Sequence, residues 1–265
     1  MAARHGTALV TGASSGIGEL YADRLARRGY DLVLVGRNAE KLGTLASSLA
    51  AKHGVKVESL VADLGDAAGL SEVERRLDSD ASITLLVNSA GLIGGGPLSD
   101  GNLDALSQML AVNVVALTRL ASVAAKVFSA RGTGAIINLA SAMALIDNAG
   151  AAAYAASKAY VLSLSLSLDL DVKPKGVQVQ AVLPGYTRTP MISDGAGLPD
   201  SVVMDADAMV DAALAGFDSG ELVTIPSLES PAAFDAWVEK RADLWPHLSL
   251  SIPAPRYTAA KASAA

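Results

Sequence analysis

Short, continuous apolar runs rich in β-branched residues recur along the chain, separated by longer stretches with helical spacing. They are TALVT (7–11), DLVLVG (31–36), VKVESLVA (55–62), ITLLVN (83–88), AIINLA (135–140), VQVQAVLP (177–184) and LVTIP (222–226). Runs that stay apolar on both pleats are strands buried on both faces. Their alternation with helices predicts a parallel sheet whose right-handed crossovers place helices on each side. The pattern therefore predicts an α/β, doubly wound, seven-stranded parallel sheet flanked by helices, with residues 1–265 forming a single domain.

One segment breaks the pattern. VLSLSLSLDLDV (161–172) alternates with period two, which taken alone predicts a strand. We read it as a helix. Wound at 100° per residue, it sets Leu162, Leu166 and Leu170 on one side and Leu164 and Leu168 nearly opposite, giving two apolar stripes. One stripe suits the sheet and the other a second subunit, which predicts a homodimer or homotetramer. Near the end, SPAAFDAWVEKRADLW predicts a helix with Ser230 as N-cap and Pro231 at its first position. Phe234, Trp237, Val238, Arg241 and Trp245 fall along one side of it, a pattern of core packing. The Pro/Ala-rich tail, 256–265, is expected to be partly disordered.

Composition narrows the function classes. Hydrophobic residues make up 51% of the chain, yet no run approaches about 18 uninterrupted apolar residues, so no membrane partner is expected. The start lacks a signal-peptide pattern, and the absence of cysteine suits a reducing compartment, so a cytoplasmic location is expected. Without cysteine, and with three scattered histidines, there is no thiolate chemistry and no metal-ligand spacing. A net charge of −6 without a basic cluster argues against nucleic acid and leaves small molecules as partners.

The chemistry begins where the first run leads into TGASSGIG. Gly12, Gly16 and Gly18 permit a tight turn and close backbone approach, and the helix that follows turns its N-terminus toward a dinucleotide pyrophosphate. A glycine turn without ligand is the plainer reading. At the end of the second run, where a carboxylate would grip the adenosine ribose, stand Gly36, Arg37 and Asn38. Arg37 suits a 2′-phosphate and points to NADP(H), unless it is simply a solvated surface arginine. In YAASK, Tyr154 and Lys158 lie four apart and meet on one helix face, for proton chemistry or as an ordinary surface pair.

Together TGASSGIG, NSAG (88–91), Ser141, YAASK and PGYTRT (184–189) resemble the short-chain dehydrogenase/reductase family, in order, over about 190 residues. The resemblance implies a Rossmann fold and a catalytic set of Asn113, Ser141, Tyr154 and Lys158. It implies cofactor contacts from Gly12, Ser14, Ser15, Gly16, Ile17 and Gly18 in the first turn, and from Arg37 and Asn38 after the second strand. Asp63 and Leu64 would face the adenine, followed by Asn88, Ala90 and Gly91. Pro184, Gly185, Thr187 and Thr189 would lie near the nicotinamide, with Tyr154 and Lys158 on the ribose side. Two positions depart from the family pattern: Ser89 replaces the second Asn of NNAG, and Ala140 replaces a serine before Ser141.

On this reading the chain is an NADP(H)-dependent carbonyl reductase or alcohol dehydrogenase. Lys158 lowers the Tyr154 pKa, Tyr154 exchanges the proton, Ser141 holds the carbonyl oxygen, and Asn113 holds a water that links Lys158 to solvent. The substrate is a small carbonyl or alcohol whose identity the sequence does not give. Its pocket is expected between Ala142–Asn148 and a lid loop at 186–205, with Tyr186, Met191, Met143 and Leu145 as apolar lining and Asp147 as a candidate cation selector. The competing class is a non-catalytic NADP(H)-binding regulatory protein; a sugar epimerase is disfavoured by the short chain and the glycine spacing.

Overall fold

All seven apolar runs form strands of one parallel sheet in the computed structural model, which describes residues 5–99, 101–147, 149–191 and 197–257. In chain order these are β1 (Thr7–Thr11), β2 (Asp31–Gly36), β3 (Val57–Val61), β4 (Ile83–Asn88), β5 (Gly134–Leu139), β6 (Val177–Val182) and, last, β9 (Val223–Thr224). The sheet order is β3-β2-β1-β4-β5-β6-β9. The chain runs outward from β1 to β3, crosses back, and resumes beside β1 at β4, so the connections diverge between β1 and β4. Ligands of doubly wound folds bind in the crevice that this divergence opens at the strand carboxyl ends.

Strand parity sorts the core into two layers. Ala8, Val10, Leu32, Leu34, Leu85, Val87 and Ile137 pack toward α1 (Gly16–Arg27), α2 (Ala39–His53) and α7 (Ala206–Asp218). Leu9, Val33, Leu86, Ile136 and Val179 pack toward α3 (Ala67–Ser79) and the long helix Leu103–Arg131. That long helix comprises α4 (Leu103–Leu110), a π-helical segment (Ala111–Ala116) and α5 (Leu117–Arg131). By length and composition it is apolar enough to cross a membrane. Here it buries Met109, Val112, Ala116, Leu120, Ala124 and Phe128.

The alternating segment is helical, as expected, within α6 (Ala152–Val172), but its leucines do not form the stripes. Leu162 is buried, Leu166 half-buried and Leu170 exposed, and the buried side is instead Ser157, Lys158, Val161, Leu162, Ser165, Asp169 and Val172. The i, i+4 series 157–161–165–169 is what faces inward. A two-residue parallel pair, β7 (Thr187–Arg188) with β8 (Met204–Asp205), was not expected; Arg188 bonds Asp200 and Asp205 there, both at 3.1 Å. The expected lid, 186–205, is seen only at its two ends, since 192–196 lie outside the described residues.

Residues up to Ser227 make one compact unit and those from Leu228 a second, a boundary that the sequence pattern does not mark. The second contains α8 (Ala232–Ala242), which starts just after Pro231, with Ser230 Oγ accepting from the Ala232 N–H at 3.3 Å. Phe234 stacks on Trp237 and Arg241 lies over the Trp237 ring, so part of the expected side exists, but Trp245 stands beyond the helix in the turn Trp245–His247. That side is not core: no α8 residue is buried. The tail expected to be disordered is described only through Tyr257, in a single turn, Pro255–Tyr257.

Candidate active site

The carboxyl ends of β1, β2, β4, β5 and β6 open onto one cleft with two continuous halves that share Ile17, Ser89, Gly91, Leu92, Thr189 and Met191. The first half is built on the glycine turn. Gly12 has φ of 67°, and a Cβ on it would stand 2.8 Å from the Ala90 Cα, so glycine here lets the β1 and β4 turns touch. Thr11 Oγ1 completes the junction by accepting from the Ser89 and Ala90 N–H groups, each at 3.0 Å. Position 89 enters this junction through its backbone N–H, a contact that serine keeps.

The N-cap of α1, Ser15, makes no side-chain cap hydrogen bond, as in α6, α7 and α8, whereas α2, α3 and α4 are capped by Asn38, Asp66 and Asn102. The first-turn N–H groups of α1 therefore face the cleft as an uncompensated donor set, the arrangement that takes a phosphate. Ser14, Ser15, Gly16, Gly18, Arg37, Asp63, Leu64 and Ala90 all line this half, as the sequence implied. Arg37 Nη1 lies 3.8 Å from Asp63 Oδ2, with both side chains substantially exposed. Such a pair is worth at most about 1 kcal/mol and leaves the guanidinium available to a phosphate. Gly36 is bare: a Cβ there would come 3.3 Å from Ser14 Oγ.

The second half is lined by Ser141, Tyr154, Lys158, Pro184, Gly185 and Thr187, again as implied. Ser141 caps the turn Ala142–Ala144, accepting from the Met143 N–H at 3.2 Å. Lys158 is buried; its ammonium donates to the Leu139 carbonyl at 2.8 Å and sits 5.8 Å from the Tyr154 ring centroid. Burial pulls the Lys158 pKa from a lysine's ordinary 10.5 down to about 8. Burial also pushes the Tyr154 phenol up, with a hydrogen bond to Ser141 acting the other way. This corrects the expectation that Lys158 lowers the phenol: in the structure desolvation dominates both groups.

Asn113 is fully buried in the π-helical segment, a distortion common at functional sites. Its Oδ1 accepts from the Leu92 N–H at 2.8 Å, and its Nδ2 donates to the Leu92 carbonyl at 2.9 Å and to Ser157 Oγ at 3.3 Å. A Cβ on Gly91 would lie 3.5 Å from Asn113 Oδ1 and 3.6 Å from Lys158 Nζ, ordinary contact distances, so both groups border the same strip of backbone.

Three expected site residues, Asn38, Asn88 and the buried Asn113, have side chains that do not line the cleft. Asn38 is occupied as the N-cap of α2, its Oδ1 accepting from the Lys41 N–H at 2.9 Å. Asn88 is buried between strands, its Nδ2 donating to Asn138 Oδ1 at 2.9 Å, because the pleat turns it into the sheet. Of the expected apolar walls, Met191 lines both halves, while Met143, Leu145 and Tyr186 line neither, Asp147 is exposed, and Asn148 lies outside the described residues. The apolar walls that sequence reasoning missed are Leu92 and Ile93, together with Val35, Ala62, Val112, Leu139 and Pro190. Leu92 and Ile93 directly follow NSAG, which was the available signal.

Comparison with known proteins agrees with this geometry. The chain resembles the solved short-chain dehydrogenase from Sphingobium yanoikuyae in complex with NADPH, at 45% identity and TM-score 0.92, covering 95% of this chain and 99% of that one. It also resembles the bulky-bulky ketone specific alcohol dehydrogenase from Comamonas testosteroni, at 41% identity and TM-score 0.90, covering 96% and 99%. Among curated relatives, the very-long-chain 3-oxoacyl-CoA reductase of Anas platyrhynchos is 32% identical over 188 residues, 69% of this chain; the match spans 60% of that longer protein. The family model for short chain dehydrogenase matches residues 6–196, and with the cleft just described this establishes that the chain belongs to that family.

Proposed function

We propose that the chain is an NADP(H)-dependent oxidoreductase that interconverts a neutral, largely apolar ketone or aldehyde and its alcohol. One observation carries the reading: the uncapped α1 N-terminus with Arg37 and the Ser141–Tyr154–Lys158 group open onto a single continuous cleft. The cradle fits a 2′-phosphorylated dinucleotide, since Gly36 presents no carboxylate and Arg37 supplies a fork-shaped donor. When bound, the nicotinamide supplies or accepts the hydride.

The chain's own residues handle the proton and the charge. A Tyr154 phenol pushed up by burial is protonated at neutral pH, which suits it to donate to a developing alkoxide. Ser141, on the same wall, stabilises the oxygen as charge accumulates. Lys158 spends one N–H on Leu139 and keeps two for the cleft. Among the described residues, Lys158 is the one charged side chain that lines the catalytic half, and Leu92, Ile93, Leu139 and Met191 make its walls apolar. A cationic substrate would find no counter-charge there among the described residues, and an acidic one only Lys158, so charged groups would carry a desolvation cost.

Support also comes from the relatives whose names record NADPH and bulky ketones. A homodimer or homotetramer in a cytoplasmic setting completes the proposal, supported by exposed Leu103, Val115, Tyr160 and Leu170 and by the absence of cysteine. The test is a panel of ketones, aldehydes and alcohols followed at the NADPH absorbance band. Turnover of apolar ketones is expected; NADPH binding without oxidation by any member would instead favour a non-catalytic role.

A further inference from the structure

Helix α6 carries both Tyr154 and Lys158, and apolar burial alone does little to fix how it is rotated about its own axis. Its leucines at 162, 164, 166, 168 and 170 advance by 200° a step and so fall on several sides. Leu162 is buried, Leu170 is 77% exposed, and the three between are half-buried. Val161, Leu162 and Val172 are buried on the inward side, but with the leucines spread around the helix, apolar burial distinguishes nearby rotations only weakly.

What singles out one rotation is polar. Ser165 is fully buried, and its Oγ accepts from Asn138 Nδ2 at 3.0 Å while donating to the Val161 carbonyl at 2.8 Å. Asn138, also fully buried, accepts from Asn88 Nδ2 at 2.9 Å, and the two asparagines are register partners on β4 and β5. One residue further along β5, the Leu139 carbonyl takes the Lys158 ammonium at 2.8 Å. Ser165 follows Lys158 by seven residues and Tyr154 by eleven, so all three lie within about 40° of one another around the helix.

We propose that Ser165, held by Asn138, is a positioning residue that sets the rotation and axial register of α6 and so places the Tyr154 hydroxyl and the Lys158 ammonium in the cleft. The inference rests on the catalytic reading of those two groups. A hydroxyl on a one-carbon stem bonded to a strand amide allows little play, whereas the lysine stem takes up slack. The tyrosine hydroxyl stands about 8 Å from the helix axis, so a 10° rotation moves it by about 1.4 Å. A displacement of about 1 Å is enough to cost roughly 10²-fold in rate. Any other rotation leaves the Asn138 amide buried without its partner, which is how a buried polar contact enforces register.

The test compares Ser165→Val, which keeps the shape of threonine without its hydroxyl, with Ser165→Thr, which restores the hydroxyl. Two readouts are taken: kcat for carbonyl reduction, and the titration of Lys158 by NMR in protein carrying [15N]lysine. In Ser165→Val, kcat should fall about tenfold or more. The Lys158 titration should move from its depressed position toward the other lysines, and Ser165→Thr should recover both. If Ser165→Val fails to fold, Ser165→Ala is read the same way. The proposal is overturned if the hydroxyl-free variant is folded, keeps kcat within about twofold, and leaves Lys158 titrating as before, or if the threonine variant is as impaired as the valine one. Should the unmodified protein turn over no carbonyl, the functional reading fails separately, and the Lys158 titration still decides the role of Ser165.

Discussion

Replacing Lys158 with methionine should make the protein less active and, near neutral pH, more stable. The ammonium is buried, and folding lowers its pKa from 10.5 to about 8 through desolvation. A tenfold change in proton affinity is worth about 1.4 kcal/mol, so holding the charge inside costs about 3 kcal/mol below pH 8. The sign follows from proton counting. Between about pH 8 and 10.5 the unfolded chain binds the proton and the folded chain does not, so wild-type stability rises with pH through that window. Methionine keeps the stem and removes the charge, but leaves the Leu139 carbonyl without its donor, a loss of about 1 to 2 kcal/mol. The net expectation is a gain of about 1 to 2 kcal/mol at pH 7 that shrinks as pH rises above about 8 and reverses between about pH 9 and 10. Urea unfolding of both proteins at pH 7 and pH 10, at one fixed protein concentration, measures it. A stability difference of the same sign and size at both pH values would refute the reasoning, since the charge would then not be what burial penalises.

Three further outcomes follow from the same geometry. Arg37→Ala should weaken NADPH about ten- to hundredfold and leave NADH nearly unchanged, a charge-assisted fork being worth about 1.5 to 3 kcal/mol; kcat/KM for both cofactors checks it. Gly36→Asp should lower or reverse the NADPH preference in the same assay by repelling the 2′-phosphate, provided Ser14 yields the few tenths of an ångström that a Cβ 3.3 Å from its Oγ demands. Light scattering at micromolar concentration should give a dimer or tetramer mass; a monomer would contradict the oligomer proposed from the exposed apolar side chains.

What the sequence showed plainly was whatever is written in runs and motifs. The seven strands were legible because a strand covered on both faces stays apolar along its whole length, as TALVT and ITLLVN do. The glycine turn, Arg37, Ser141, Tyr154 and Lys158 were legible because residue type and order carry the chemistry. Where the Asn38 and Asn88 side chains bond was not legible, because an asparagine beside a motif reads the same whether it contacts a ligand, caps a helix or bridges two strands; only the Lys41 N–H and Asn138 tell them apart. The inward face of α6 was hidden because LSLSLS carries no helical apolar period, and the side that turned inward mixes Ser157, Lys158, Ser165 and Asp169 with Val161, Leu162 and Val172. Thr187–Arg188 and Met204–Asp205 are too short to leave any period. The dominance of burial over Lys158 in setting the Tyr154 pKa depends on depth, which spacing does not encode.

The central claim, that Tyr154 is the proton-transfer group of a reductase, is tested most directly by Tyr154→Phe. The substitution removes one hydroxyl from the cleft wall and leaves Arg37 and the α1 N-terminus untouched. Carbonyl turnover and the NADPH dissociation constant should be measured together on the same preparation. The account predicts that kcat falls by about 10²-fold or more, the range for loss of a general acid, with NADPH affinity within about threefold of the unmodified protein. Retention of more than about a tenth of the activity, or a matching loss of NADPH affinity, would contradict it.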